Sequence, residues 1–180
     1  MLRRVPLSLM LVFALFCSRA EAADKKKVPA PEVHSFRIHA QVNYRCYGGY
    51  EGKTVKDSHT GFVCDNKTYQ KTLLDKTVKI EIKFEPNPGD EQLLVGDWDE
   101  NNEFMGRKFL ASLSMFKDAA AGKAKPYRLR VLAKDDEPNA RESTTFVDFA
   151  APQQMSTVTV DYSSRGTPEE IEYQLTVAPE

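Results

Sequence analysis

From Phe36 to Cys46 the chain reads Phe-Arg-Ile-His-Ala-Gln-Val-Asn-Tyr-Arg-Cys, with Phe36, Ile38, Ala40, Val42, Tyr44 and Cys46 on every second position. Successive strand side chains point to opposite faces, so this period of two describes a β-strand with one dry face. Its wet face carries Arg37, His39, Gln41, Asn43 and Arg45. Such a strand needs partners to pair its edges and a second layer to cover its apolar side. The same alternation returns in Val78, Ile80, Ile82 and Phe84, whose neighbours Lys79, Glu81, Lys83 and Glu85 alternate in sign. Charges on the wet face of an antiparallel strand guard it against edge aggregation. Pro86-Asn87-Pro88-Gly89 then stops it, because proline donates nothing to a ladder and glycine permits the turn.

The rest of the chain continues in this style. Lys67 to Leu74 is ambiguous between strand and loop. A short strand is expected over Glu91 to Val95, an acidic turn over Asp97 to Glu103, and a bent or bulged strand over Phe104 to Phe116 with Gly106 at the bend. Lys117 to Lys125 reads as a loop; Tyr127, Leu129, Val131 and Ala133 alternate as a strand in which Leu132 is out of pattern. After the acidic turn Asp135-Asp136-Glu137 comes a strand over Ser143 to Phe149. Val158, Val160 and Tyr162 then answer Ile171, Tyr173, Leu175 and Val177 as a final hairpin. No segment sustains a 3.6-residue apolar period. The expected fold is all-β: an antiparallel two-sheet β-sandwich of about eight or nine strands with one disulfide. A barrel is the other way to close such a sheet, but no repeated motif or regular strand length points to it. Trp98 follows both Cys46 and Cys64, so the Cys-Trp-Cys order of immunoglobulin domains is absent.

The N-terminus adds a compartment. Arg3-Arg4 precede the apolar run Leu7 to Phe16, and Ala20-Glu21-Ala22 offers a small-residue cleavage site, so residues 1–22 read as a secretory signal peptide. The run is too short for the roughly 30 Å hydrocarbon core, which needs about 20 residues, and no later stretch is a spanning candidate. Residues 23–32 form a flexible Lys/Pro leader, and 33–180 a single domain, secreted or periplasmic. Cys17 leaves with the signal, so Cys46 and Cys64 remain to pair in an oxidising compartment. A metal site on them is disfavoured because His34, His39 and His59 lack ligand spacing. The formal net charge of −1 for the full chain and the lack of a basic block beyond Lys25-Lys26-Lys27 exclude a nucleic-acid surface.

Three constellations bear on function. Asp97, Asp99, Asn101 and Glu103 recur at every second residue, a spacing at which loops supply oxygen ligands to calcium. Asn102 and Lys108 stand where an EF-hand needs its glycine and its bidentate glutamate, so the pattern is not that motif. Trp98 beside these acids, and Tyr47 and Tyr50 near the expected bridge, are candidate partner contacts if exposed; packed, they cover the core edge and the sulfurs. Asn66-Lys67-Thr68 is a glycosylation sequon in a eukaryotic source. There is no nucleophile elbow, His-Glu-x-x-His or phosphate-cradling glycine loop, and no motif identifies a family. The expected function is an exported, non-catalytic binding or structural module with a protein or polymer partner and no cofactor. A calcium-dependent module using residues 97–103 is the alternative, and a carboxylate-based hydrolase the second alternative.

Overall fold

The computed structural model describes residues 30–48, 63–84, 93–118, 124–136, 142–165 and 169–180. The expected signal peptide, most of the leader, Tyr50 and His59 lie outside them. Eight strands follow in order: β1 (Glu32–Cys46), β2 (Thr68–Phe84), β3 (Leu93–Phe104), β4 (Arg107–Asp118), β5 (Tyr127–Asp135), β6 (Ser143–Phe149), β7 (Val158–Arg165) and β8 (Glu169–Pro179), with a 3₁₀ turn at Pro152–Gln154.

All eight belong to one antiparallel sheet in the order β6-β5-β4-β3-β2-β1-β8-β7, so the expected division into two sheets is replaced by a continuous one. The physical reason lies in β2 and Gly96. Most of β2 pairs with β1, but its end also forms a ladder with β3 at Lys83↔Val95 and Phe84↔Leu94. Just beyond, Gly96 passes so close to β2 that a Cβ there would lie 2.5 Å from the Glu81 carbonyl oxygen. Only a residue without a side chain allows the sheet to turn this corner. Curled in this way, the sheet brings its two edges together: the Ser143 hydroxyl on β6 donates to the Asp161 carbonyl on β7 at 2.8 Å. The result is close to a barrel.

Inside, the period-two residues do what their pattern requires. Phe36, Ile38, Ala40, Val42 and Tyr44 are fully buried, and Ile80, Ile82, Leu113, Met115, Leu129, Val131, Ile171 and Leu175 meet them from the other strands. Each large apolar side chain so buried contributes about 1.5–3 kcal/mol relative to exposure. Leu132, which breaks the alternation of β5, is buried as well. The ambiguous residues 68–74 belong to β2, where a register shift opposite Ala40/Gln41 marks a bulge that hid the alternation. The expected final hairpin is present, with Val160↔Leu175 and Tyr162↔Tyr173 among its partners.

β3 and β4 differ from the expected turn and bent strand. Asp97 to Glu103 is not a turn but part of β3, paired residue for residue with β4 from Asp97↔Ser114 to Glu103↔Lys108. The bend at Gly106 is a tight hairpin: Met105 and Gly106 have φ of 53° and 73°, the left-handed pair that a two-residue turn between twisted strands requires.

Each end of the barrel has its own fastening. At one, Glu32 of β1 receives Lys117 of β4 and the Tyr127 hydroxyl of β5 (2.9 Å), with His34 3.3 Å away. Tyr127 in turn stacks on Phe149, ring centroids 5.5 Å apart. At the other end, the Cys46–Cys64 bridge forms as expected, over a separation of 18 residues. A loop of that size is worth on the order of 3 kcal/mol in the chain-entropy view. Beside it the buried Arg107 and Glu169 are ion-paired.

Candidate functional site

On the outer face of β1, β8 and β7 the wet halves of three alternating strands come into register. Gln41, Gln174 and Asp161 form one row, Asn43, Glu172 and Ser163 the next, and Arg45, Glu170 and Arg165 a third. Within rows the side chains are linked. Gln174 Nε2 donates to Asp161 Oδ1 at 2.8 Å, Asn43 Nδ2 donates to Glu172 Oε2 at 3.3 Å, and Arg165 Nε lies 3.0 Å from Glu170 Oε1.

These rows line a concavity of about 340 Å³ bordered by Gln41, Asn43, Asp161, Ser163, Glu172 and Gln174. A second hollow of about 160 Å³, between Asn43, Arg45, Thr68, Glu170 and Glu172, extends it onto β2. The two share Asn43 and Glu172, so they form one polar groove across four strands.

Tyr47 stands at its end. It follows β1 directly, is 37 % exposed, and donates its hydroxyl to Glu170, while the Arg45 guanidinium lies 4.7 Å from its ring centroid. The bond to Glu170 holds the Tyr47 phenol above its ordinary range, so it stays protonated and keeps donating. The backbone here is fixed from the far side of the disulfide: Asn66, with φ of 63°, donates its N–H to Cys46 O (3.1 Å) and accepts at Oδ1 from the Gly48 N–H (2.8 Å). The sequon asparagine is thus part of the fastening beside Tyr47.

The other residues singled out by sequence lie elsewhere. Trp98 is half-buried on the inner side of β3, packed against the core with the Lys76 ammonium 5.7 Å from its ring. It does not join Tyr47. Asp97, Asp99, Asn101 and Glu103 stand exposed on the outer side of β3. Alternate strand residues lie about 6.5–7 Å apart, which spreads four oxygen donors along a line instead of around one ion. Among the described residues no three of His, Cys, Asp and Glu gather in a metal-binding group.

A larger concavity, about 420 Å³, lies on the outer face of β4, β5 and β6. Phe116 and the 58 % exposed Phe146 border it. So does Arg128, doubly bonded to Asp148 at 2.6 and 3.0 Å. Asp118 and Lys125 border it as well, so the hollow mixes aromatic and charged groups. The polar groove of β1, β8 and β7 escaped sequence reading because its members come from segments far apart; the only signal was the amide- and carboxylate-rich wet face of each strand.

No helix among the described residues is long and apolar enough to cross a membrane. Comparison with protein-family models, with curated proteins and with solved structures gave no match.

Proposed function

We propose that the chain is an exported, non-catalytic binding module that holds a polymer along the outer groove of β7, β8 and β1. The observation that carries this reading is the continuity of the groove from Gln174 and Asp161 to Thr68 and Glu170, on which the Tyr47 hydroxyl is anchored. A long shallow strip of engaged polar groups suits an extended partner, whereas a small molecule is usually enclosed by a deeper apolar pocket. The non-catalytic part is supported by the carboxylates of the groove: Asp161, Glu172 and Glu170 are occupied by Gln174, Asn43, and Tyr47 with Arg165. Export is supported by the signal-peptide pattern of residues 1–22 and by the bridge, which suits an oxidising compartment. The test is retention of the disulfide-intact protein on insoluble polysaccharide and protein-fibre matrices, beside the Asn43→Ala/Gln174→Ala double variant. Retention by one matrix that the double variant loses is the expected result. Equal retention of both, or of neither on any matrix, would overturn the reading.

A further inference from the structure

We infer that the polymer is an uncharged polysaccharide, an assignment that rests on the groove being the working surface. Consider first what the linked pairs leave free. In Asn43–Glu172 and Gln174–Asp161 the amide spends one N–H on the carboxylate. It keeps its second N–H and its carbonyl oxygen, and the carboxylate keeps its other oxygen. Each pair therefore sets a donor beside acceptors, the complement of a hydroxyl, which donates and accepts at once. Rows repeat every second residue along the strands, about 6.5–7 Å, so a chain of polyhydroxylated rings meets the same chemistry more than once.

An extended peptide is a poorer fit. Peptides gain affinity by adding to a free strand edge, but β1 is paired on both sides by β2 and β8, and β8 by β1 and β7. The central strands of the floor offer a peptide no unpaired backbone, and the outer edge of β7 is turned toward β6, where the Ser143 hydroxyl already donates to the Asp161 carbonyl. A polyanion fits no better, since the groove holds three carboxylates (Asp161, Glu170, Glu172) against Arg45 and Arg165, and Arg165 is committed to Glu170. Tyr47 completes the surface: its hydroxyl is anchored on Glu170 and its partly exposed ring supplies the flat apolar contact that the C–H face of a sugar ring covers.

The experiment is titration calorimetry and affinity electrophoresis of the disulfide-intact protein with a soluble neutral glucan (hydroxyethyl cellulose and laminarin), a soluble mannan, polygalacturonate and gelatin. Binding to a neutral glycan is expected, unchanged between low and high sodium chloride because no ion pairs form. Asn43→Ala/Gln174→Ala should weaken it roughly tenfold or more. Tyr47→Ala should weaken it where Tyr47→Phe retains most of it, and Phe146→Ser on the opposite hollow should leave it intact. Salt-sensitive binding of polygalacturonate, or binding of gelatin, that the double variant abolishes would overturn the uncharged polysaccharide and keep the groove. Binding that the groove variants leave untouched would overturn both.

Discussion

Arg107 and Glu169, 62 positions apart in the sequence, form an ion pair in the interior with 3 % and 9 % of their side-chain surfaces exposed. The pair joins the start of β4 to the start of β8, and Glu169 lies directly opposite Cys46 in the β1–β8 ladder. Removing Glu169 takes an ion-pair partner from a buried guanidinium, which costs about 3–5 kcal/mol. Glu169→Ala is therefore expected to lower the urea midpoint severely, whereas Arg107→Met with Glu169→Leu recovers most of it. A mild single variant would show the pair to be dispensable.

Tyr173 is 1 % exposed, its ring lies 5.3 Å from that of Phe109, and its hydroxyl has no hydrogen-bond partner among the described residues. Burial, with the nearby charge of Glu100, pushes its phenol far above the ordinary range. An unsatisfied buried hydroxyl costs about 1–3 kcal/mol, so Tyr173→Phe should be neutral to stabilising in thermal unfolding. A loss of more than about 1 kcal/mol would show that the hydroxyl is bonded after all.

Gly96→Ala should be costly for a reason specific to the corner between β2 and β3. The new methyl would meet the Glu81 carbonyl oxygen at 2.5 Å and Ile80 Cγ2 at 2.9 Å, and backbone does not yield as a flexible side chain does. A loss of about 1–3 kcal/mol is expected, as for overpacking in cores. Hydrogen exchange should locate it at Lys83 and Val95, the short ladder that makes the sheet continuous.

The fastening at Glu32 gives stability a pH dependence with a known sign. Burial works against the ionised Glu32, but hydrogen bonds from Lys117 and Tyr127 outweigh it and hold the carboxyl below its ordinary 4.5. Its contribution is present above that value and is lost as pH falls through the lower, folded value. Burial likewise opposes the charge on Lys117, yet its bond to Glu32 raises it above its ordinary 10.5, so that contribution disappears only as pH rises beyond the folded value. The stability difference between the protein and Glu32→Gln should accordingly be flat between these limits and shrink below about pH 4.5 and above about pH 10.5. Urea midpoints across pH measure it, and a difference that persists in acid would remove Glu32 as its source.

Calcium and chelator should give the same thermal midpoint, with or without Asp97→Asn and Asp99→Asn, because a row along β3 gathers no ligands around an ion. A rise of several degrees in calcium, lost in the double variant, would restore the acidic segment as a site.

How far the sequence reached depends on which residues carried the signal. Phe36 to Cys46 and Val158 to Val177 were legible because their alternation is nearly unbroken, and the structure buries the residues it picks out. Asp97 to Glu103 misled because aspartate and asparagine are depleted in strands, so three of them with Glu103 at alternate positions imitate a ligand loop. Partners decide the matter there: β4, with Leu113 buried opposite Trp98, holds the segment extended despite its composition. The bulge in β2 removed one beat of a pattern that otherwise runs to Phe84. The wet faces were legible but their meeting was not, since Asn43 and Glu172 lie 129 positions apart and only the register of β1 with β8 joins them.

That register also sets an order of events. β1 can bond to β2 early, but its second edge stays open until β8 has been made, because Phe36 pairs with Pro179 and Cys46 with Glu169. Until then the keystone strand is half set, the Arg107–Glu169 pair is unmade, and the ring has no means of closing. Such long-range pairings delay folding until late contacts are within reach. The sheet therefore stays pliable while the chain is being made and locks only once its last strand has arrived.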